Sequence, residues 1–116
     1  MNHLLVKIAL IGTLSIVSMM ALAGTSTWTN WYPVAQVYTY SEDSVFISLT
    51  PTAAHPNPAG CVSNSWLRVH PNQANRTEIY QMVLTAQASG LRINAYIHGS
   101  ECLGSYPRVL HLRSVK

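Results

Sequence analysis

The chain has 116 residues, of which 48% are hydrophobic and only 9% charged, with a formal net charge of +3 at pH 7. That length holds one small domain. The basic residues after the N-terminus are scattered as Arg68, Arg76, Arg92, Arg108, Arg113 and Lys116, which excludes the clustered footprint of a nucleic-acid binder and gives no membrane-surface helix.

Lys7 precedes the apolar run Ile8 to Met20, and Ala21-Leu22-Ala23 precedes the polar Gly24-Thr25-Ser26-Thr27. A basic start, an apolar core and an A-x-A site in this order predict a signal peptide over 1–23 and a single mature domain over 24–116. An uncleaved membrane anchor is the alternative, but it wants about 20 apolar residues and no cleavage site. The expected destination is therefore secreted or periplasmic, with no membrane span once the leader is removed. In such an oxidising compartment the chain's two cysteines, Cys61 and Cys102, are expected to pair. The bond would close a loop of about 40 residues and contribute about 2–4 kcal/mol, which matters in a domain too small to bury a large core.

Within the mature part, Trp31 to Tyr40 is rich in Trp, Tyr and Val and reads as a strand, with Val34, Gln36 and Tyr38 on one face and Ala35, Val37 and Thr39 on the other. Ser41-Glu42-Asp43-Ser44 reads as a turn. Val45, Ile47 and Leu49 then alternate with Phe46 and Ser48 to complete a hairpin. From Thr50 to Ser65, prolines and Gly60 forbid regular structure and leave a long loop of the kind where function tends to sit. Trp66 to Val69 is a short strand ended by His70-Pro71.

Asn75 and Glu78 have the spacing of a capping box. Ile79, Met82, Val83 and Ala86 follow at helical spacing, and Gly90 stands where a left-handed cap belongs, so a helix is predicted over 76–89. Leu91, Ile93, Ala95 and Ile97 alternate with Arg92, Asn94, Tyr96 and His98 as a half-buried strand. Gly99 to Pro107 should turn the chain, and Val109 to Val115 should form the last strand, with Leu110 and Leu112 on one face and His111 and Arg113 on the other. The order β-β-β-α-β-β is that of the five-stranded OB-fold barrel, so the expected class is β-rich α+β with an OB-like barrel. A plain α+β sheet with one packed helix is the competitor.

The chemistry of catalysis finds little to use. His55, His70, His98 and His111 fall in no metal-ligand spacing, and the cysteines are committed to each other, so neither a metal nor a cofactor is expected. His98 and His111 lie on outward faces of neighbouring strands and could form a pH-sensitive pair. The only carboxylates are Glu42, Asp43, Glu78 and Glu101, with no convergence that a hydrolytic triad or a glycosidase pair would need. A non-enzyme is the expectation, with a small hydrolase using His70 or His98 as the remote alternative.

Aromatic residues are more informative. Trp28, Trp31, Tyr32, Tyr38, Tyr40, Trp66, Tyr96 and Tyr106 are too many for one small interior. Flat rings exposed beside Asn, Ser and Arg suit sugar stacking or a protein interface. Trp66, Tyr96, His98, His111 and Arg113 are the candidate binding residues.

The stretch Tyr80 to Ile93, followed by Gly99-Ser100-Glu101-Cys102 and a final strand, resembles a pattern in small secreted bacterial proteins of uncharacterised function. Its helix, ending Ala88-Ser89-Gly90 ahead of a strand and a cysteine, is also similar to that of subtilase-cytotoxin and pertussis-type toxin B-subunits, which are OB-fold pentamers that bind glycans. The similarity spans roughly 76–115 and implies an OB-like barrel, a glycan or protein partner, and a homo-oligomeric ring. The rival expectation is a secreted or periplasmic inhibitor or accessory protein that docks through the Pro-rich loop 50–60.

Overall fold

A computed structural model describes residues 24–116 except Tyr40, Glu42, Asp43, Ala53 and Ala54. The expected leader over 1–23 and the centre of the expected turn at 41–44 lie outside the described residues. The elements are β1 (Thr27–Trp28), β2 (Tyr32–Tyr38), β3 (Val45–Leu49), β4 (Leu67–Val69), α1 (Arg76–Ser89), β5 (Arg92–Leu103) and β6 (Tyr106–Val115).

The strands follow the order β1-β5-β2-β3-β4-β6, and the further pairing of β5 with β6 closes β5-β2-β3-β4-β6 into a ring. This is a small OB-like barrel of five strands with a helix between β4 and β5, as the order of elements predicts. The closure is uneven. β5 and β6 form a long antiparallel hairpin, whereas β4 meets β6 in parallel at the single position Arg68↔Arg108, and β2 meets β5 only at Tyr32↔Ile93 and Pro33↔Arg92.

The two-residue β1 was not expected. It pairs with β5 at Thr27↔Ile97 and Trp28↔Tyr96, and the Thr29 amide donates to the Ala95 carbonyl at 2.8 Å, so β1 and the start of β2 are two halves of one kinked strand along β5. A second irregularity between Val34 and Gln36 corrects the predicted faces of β2. Tyr32 and Val34 pack toward the core before the bulge and Val37 after it, which leaves Gln36 and Tyr38 outside.

The interior is built from Val45, Ile47, Leu49, Leu67, Val69, Ile93, Ala95, Ile97, Val109 and Leu112, and α1 closes it with Ile79, Val83 and Ala86. Helix limits and the Gly90 cap agree with expectation: Gly90 has φ 69° and the Leu91 amide donates to Ala86 O. Met82 is only partly buried. The capping box does not form. Asn75 makes no side-chain cap; its Nδ2 donates to Leu110 O at 3.0 Å, and Gln73 Nε2 donates to Val109 O at 3.0 Å. The reason lies in β6, whose register slips opposite Tyr96/Ile97. The slip turns Val109 rather than Leu110 inward and frees two carbonyls that must be satisfied.

The expected turn over Gly99 to Pro107 is likewise corrected. β5 continues to Leu103, bulging between Ile97 and Cys102, and the reversal is confined to Gly104 and Ser105, where Gly104 has φ 65°. Gly99 sits in that bulge because the chain crosses it there: a Cβ on Gly99 would overlap Gly24 O and Ser26 N, and the Gly99 amide donates to Ser26 Oγ at 2.9 Å.

Cys61 and Cys102 are bonded, spanning 41 positions. The long loop is pinned as well as tied. Asn57 Oδ1 accepts from the Cys61 amide at 2.8 Å, its Nδ2 donates to Asn64 Oδ1 at 2.9 Å, and the Ser63 amide donates to Ser105 O at 2.8 Å. Among the described residues no helix is long and apolar enough to cross a membrane.

Candidate functional site: an aromatic pocket on the outer barrel face

Alternation along β3 sends Val45, Ile47 and Leu49 into the core and Phe46 outward. An outward ring on a barrel strand normally meets water, yet Phe46 is only 6% exposed. Its cover comes from the same outer rung of the sheet. Tyr38 is its partner on β2 and Arg68 its partner on β4. Trp66 stands two residues before Arg68, and Tyr106 two before Arg108, so both project from the same face.

The Phe46 and Tyr106 centroids lie 4.9 Å apart at 75°, and Trp66 meets Phe46 edge-on at 6.5 Å. Tyr38 is 6.2 Å from Phe46 and 6.3 Å from Trp66. Tilted and edge-to-face packing of this kind suits the ring quadrupoles. The Arg68 guanidinium carbon sits 5.2 Å from the Phe46 centroid, and no described carboxylate bonds to it; its Nε is covered and without a hydrogen-bond partner. Together Tyr38, Phe46, Trp66, Arg68 and Tyr106 line a recess of about 270 Å³, close to the lower end of the roughly 300–1,000 Å³ typical of small-molecule sites.

Of the candidate residues read from the sequence, only Trp66 belongs to this recess. Tyr96, His111 and Arg113 meet instead on the β1-β5-β6 face. The Arg113 guanidinium carbon lies 3.9 Å from the Trp28 ring centroid and 5.6 Å from that of Trp31; Trp28 meets Tyr96 at 4.9 Å, and Tyr96 stacks on His111 at 5.9 Å. Arg113 also donates through Nε and Nη2 to Oδ1 of Asn94, a residue 4% exposed whose Nδ2 donates to Thr29 O. These contacts tie β1, β5 and β6 together, while Trp28 and Trp31 stay more than a third exposed.

His98 is elsewhere again. Its Nδ1 accepts from the amides of Ser100 and Glu101, at 3.1 and 3.0 Å, so it shapes the β5 bulge; the ring contact of His111 is with Tyr96, not with His98. Arg108 is bound by Glu101 at 2.5 Å and by Gln73 Oε1 at 3.0 Å. That pairing, aided by His98 and His70, holds the Glu101 carboxyl below its usual range. Cys61 and Cys102 are consumed by the disulfide, and among the described residues no group of three His, Cys, Asp or Glu converges as a metal site.

Tyr38, Phe46, Arg68 and Tyr106 escaped sequence reasoning as a set. The signal was present in the alternation of Trp66 with Arg68 and in one large ring between Val45 and Ile47, but only strand register joins them. No protein family, curated protein or solved structure matches this chain.

Proposed function

We infer that residues 24–116 form an exported, non-catalytic binding domain whose pocket takes a saccharide. The observation that carries this reading is the burial of Phe46 on the outside of the barrel beneath Tyr38, Trp66 and Tyr106, with Arg68 beside it. Aromatic π-faces accept the C–H face of a pyranose, and the phenol and guanidinium donors at the margin suit its hydroxyls. The disulfide supports export, since such bonds persist in oxidising compartments.

A docking role for the Pro-rich loop 50–60 fits less well. Asn57 ties the C-terminal end of the loop to Cys61 and Asn64, and none of the loop's described residues lines the aromatic recess.

A glycan array probed with the protein lacking residues 1–23 tests the reading. The expected result is binding to a restricted set of glycans and at least a tenfold loss for Trp66→Ala with its thermal midpoint retained, tenfold being about 1.4 kcal/mol. An array without hits, or hits indifferent to Trp66→Ala, would sink it. Ring assembly of the toxin B-subunit kind is an extension of the same reading. Light scattering decides it, a discrete pentamer supporting the ring and a monomer removing it.

A further inference from the structure

The pocket does not end at its rings. A second recess, of about 320 Å³, is lined by Gln36, Val37, Tyr38, Trp66 and Gln87 and shares Tyr38 and Trp66 with the first. The two rings, 6.3 Å apart at 59°, therefore stand between two halves of one groove.

The chemistry of the halves differs. The first is aromatic with one cation. The second offers two neutral amides, one from β2 and one from α1. Gln36 follows the β2 bulge and pairs with Ser48 on the outer face of β3. Gln87, near the C-terminus of α1, donates through Nε2 to Ala35 O at 3.2 Å, an acceptor beside the same bulge, and this bond fixes the side chain at the groove. A primary amide carries both donors and an acceptor, which matches hydroxyls that do both. Among the described residues no carboxylate lines either half.

We propose that this groove binds a linear saccharide chain of at least two sugar units, one held against Phe46, Trp66 and Tyr106 and the next beyond the Tyr38–Trp66 pair against Gln36 and Gln87. This rests on the saccharide reading of the first recess. Neutral amides and rings favour a polyhydroxylated chain over an apolar peptide segment, which would leave the amides without partners on binding.

The experiment uses immobilised series of one to four units built on glucose, N-acetylglucosamine, mannose and galactose, with calorimetric titration of the best tetrasaccharide and its monosaccharide. Wild-type protein is expected to bind the tetrasaccharide at least tenfold more tightly than the monosaccharide. Gln36→Ala and Gln87→Ala should each remove most of that gain while leaving monosaccharide affinity unchanged, and Gln36→Ala should also leave the thermal midpoint unchanged. Using both variants matters because Gln87 also braces β2, whereas among the described residues no bond of that kind involves the Gln36 side chain. Equal affinity across chain lengths overturns the extended groove and leaves the saccharide reading standing. A length dependence indifferent to both glutamines also overturns it, since the chain would then leave by another route. If no saccharide of any length binds and Trp66→Ala changes nothing, the saccharide reading falls and takes the groove with it.

Discussion

Phe46 and Tyr38 belong to one rung but carry different burdens. Phe46, 6% exposed, has the contacts of a core residue although it faces out of the barrel, so Phe46→Ala should cost about 3 kcal/mol in urea denaturation, as large buried truncations do. Tyr38, 53% exposed, should cost less than about 1 kcal/mol as Ala yet weaken the ligand, because its ring borders both recesses. Equal destabilisation by the two would show that the outer cluster is only structural.

Arg113 inverts that pattern. Arg113→Ala removes its stacking on Trp28 and takes two donors from the buried Asn94 oxygen, so a loss of about 2 kcal/mol is expected with saccharide affinity unchanged. A fall in affinity without a fall in stability would restore it as a ligand-binding residue.

Glu101 gives the pH dependence at this scale. Its folded pKa is depressed, chiefly by the Arg108 hydrogen bond, so its stabilisation is present above the unfolded carboxylate value of about 4.3 and is lost as pH falls through the folded value. The pair is partly exposed, which limits the effect to about 0.2–1 kcal/mol. Glu101→Gln should therefore be less stable than wild type at pH 7 and equal to it near pH 2; a gap that persists at pH 2 would assign the effect to packing.

Among the elements, those with a long period and an unambiguous punctuation mark were legible in the sequence. The limits of α1 follow from Ile79, Val83 and Ala86 and from Gly90, and β3 follows from Val45, Ile47 and Leu49. Illegibility begins at the bulges. The slips in β2 and β6 are one-residue decisions and the bulge in β5 adds three residues, all made by partners distant in sequence, and each changes which side chains face out. The slip in β6 also draws Asn75 from its local cap to Leu110, a competition no local pattern displays. The pocket is hidden for the same reason, being assembled from β2, β3, β4 and β6 by register alone.

Two element-scale perturbations follow. Opening the Cys61–Cys102 loop, which spans 41 positions, should cost about 4 kcal/mol by chain entropy, measured as the difference in unfolding free energy between oxidised protein and the double Cys→Ala variant. Gly99→Ala forces a Cβ into the backbone of Gly24–Ser26 and should cost at least about 1–3 kcal/mol, as overpacking does. A silent Gly99→Ala would mean that the N-terminal crossing is not maintained in solution.

At the scale of the molecule, the ring of strands is strong on one side and thin at two seams. β5 and β6 pair from Arg92↔Val115 to Leu103↔Tyr106 despite their bulges, and the disulfide anchors the far end of that hairpin through Cys102. The β4–β6 seam rests on Arg68↔Arg108 and the β2–β5 seam on Tyr32↔Ile93 and Pro33↔Arg92, the latter position lacking an amide proton to donate. Local opening follows the sparsest hydrogen bonding, so the barrel should breathe at these seams before it unfolds globally. Both seams adjoin the groove: Arg68 lines the first recess, and the bulge after Val34 carries Gln36 into the second. A ligand seated across β2, β3 and β4 binds only the closed barrel and must stabilise it. Native-state hydrogen exchange should therefore show the slowest amides in the Asn94–Ile97 and Val109–Arg113 segments, and faster exchange at Tyr32 and Arg68. Ligand addition should slow exchange at Arg68 and Gln36 more than within the β5–β6 hairpin. Uniform protection around the ring would mean that it opens only with global unfolding, whereas protection concentrated at Trp28 and Tyr96 would place the ligand on the opposite face and transfer the binding role to the Arg113 ladder.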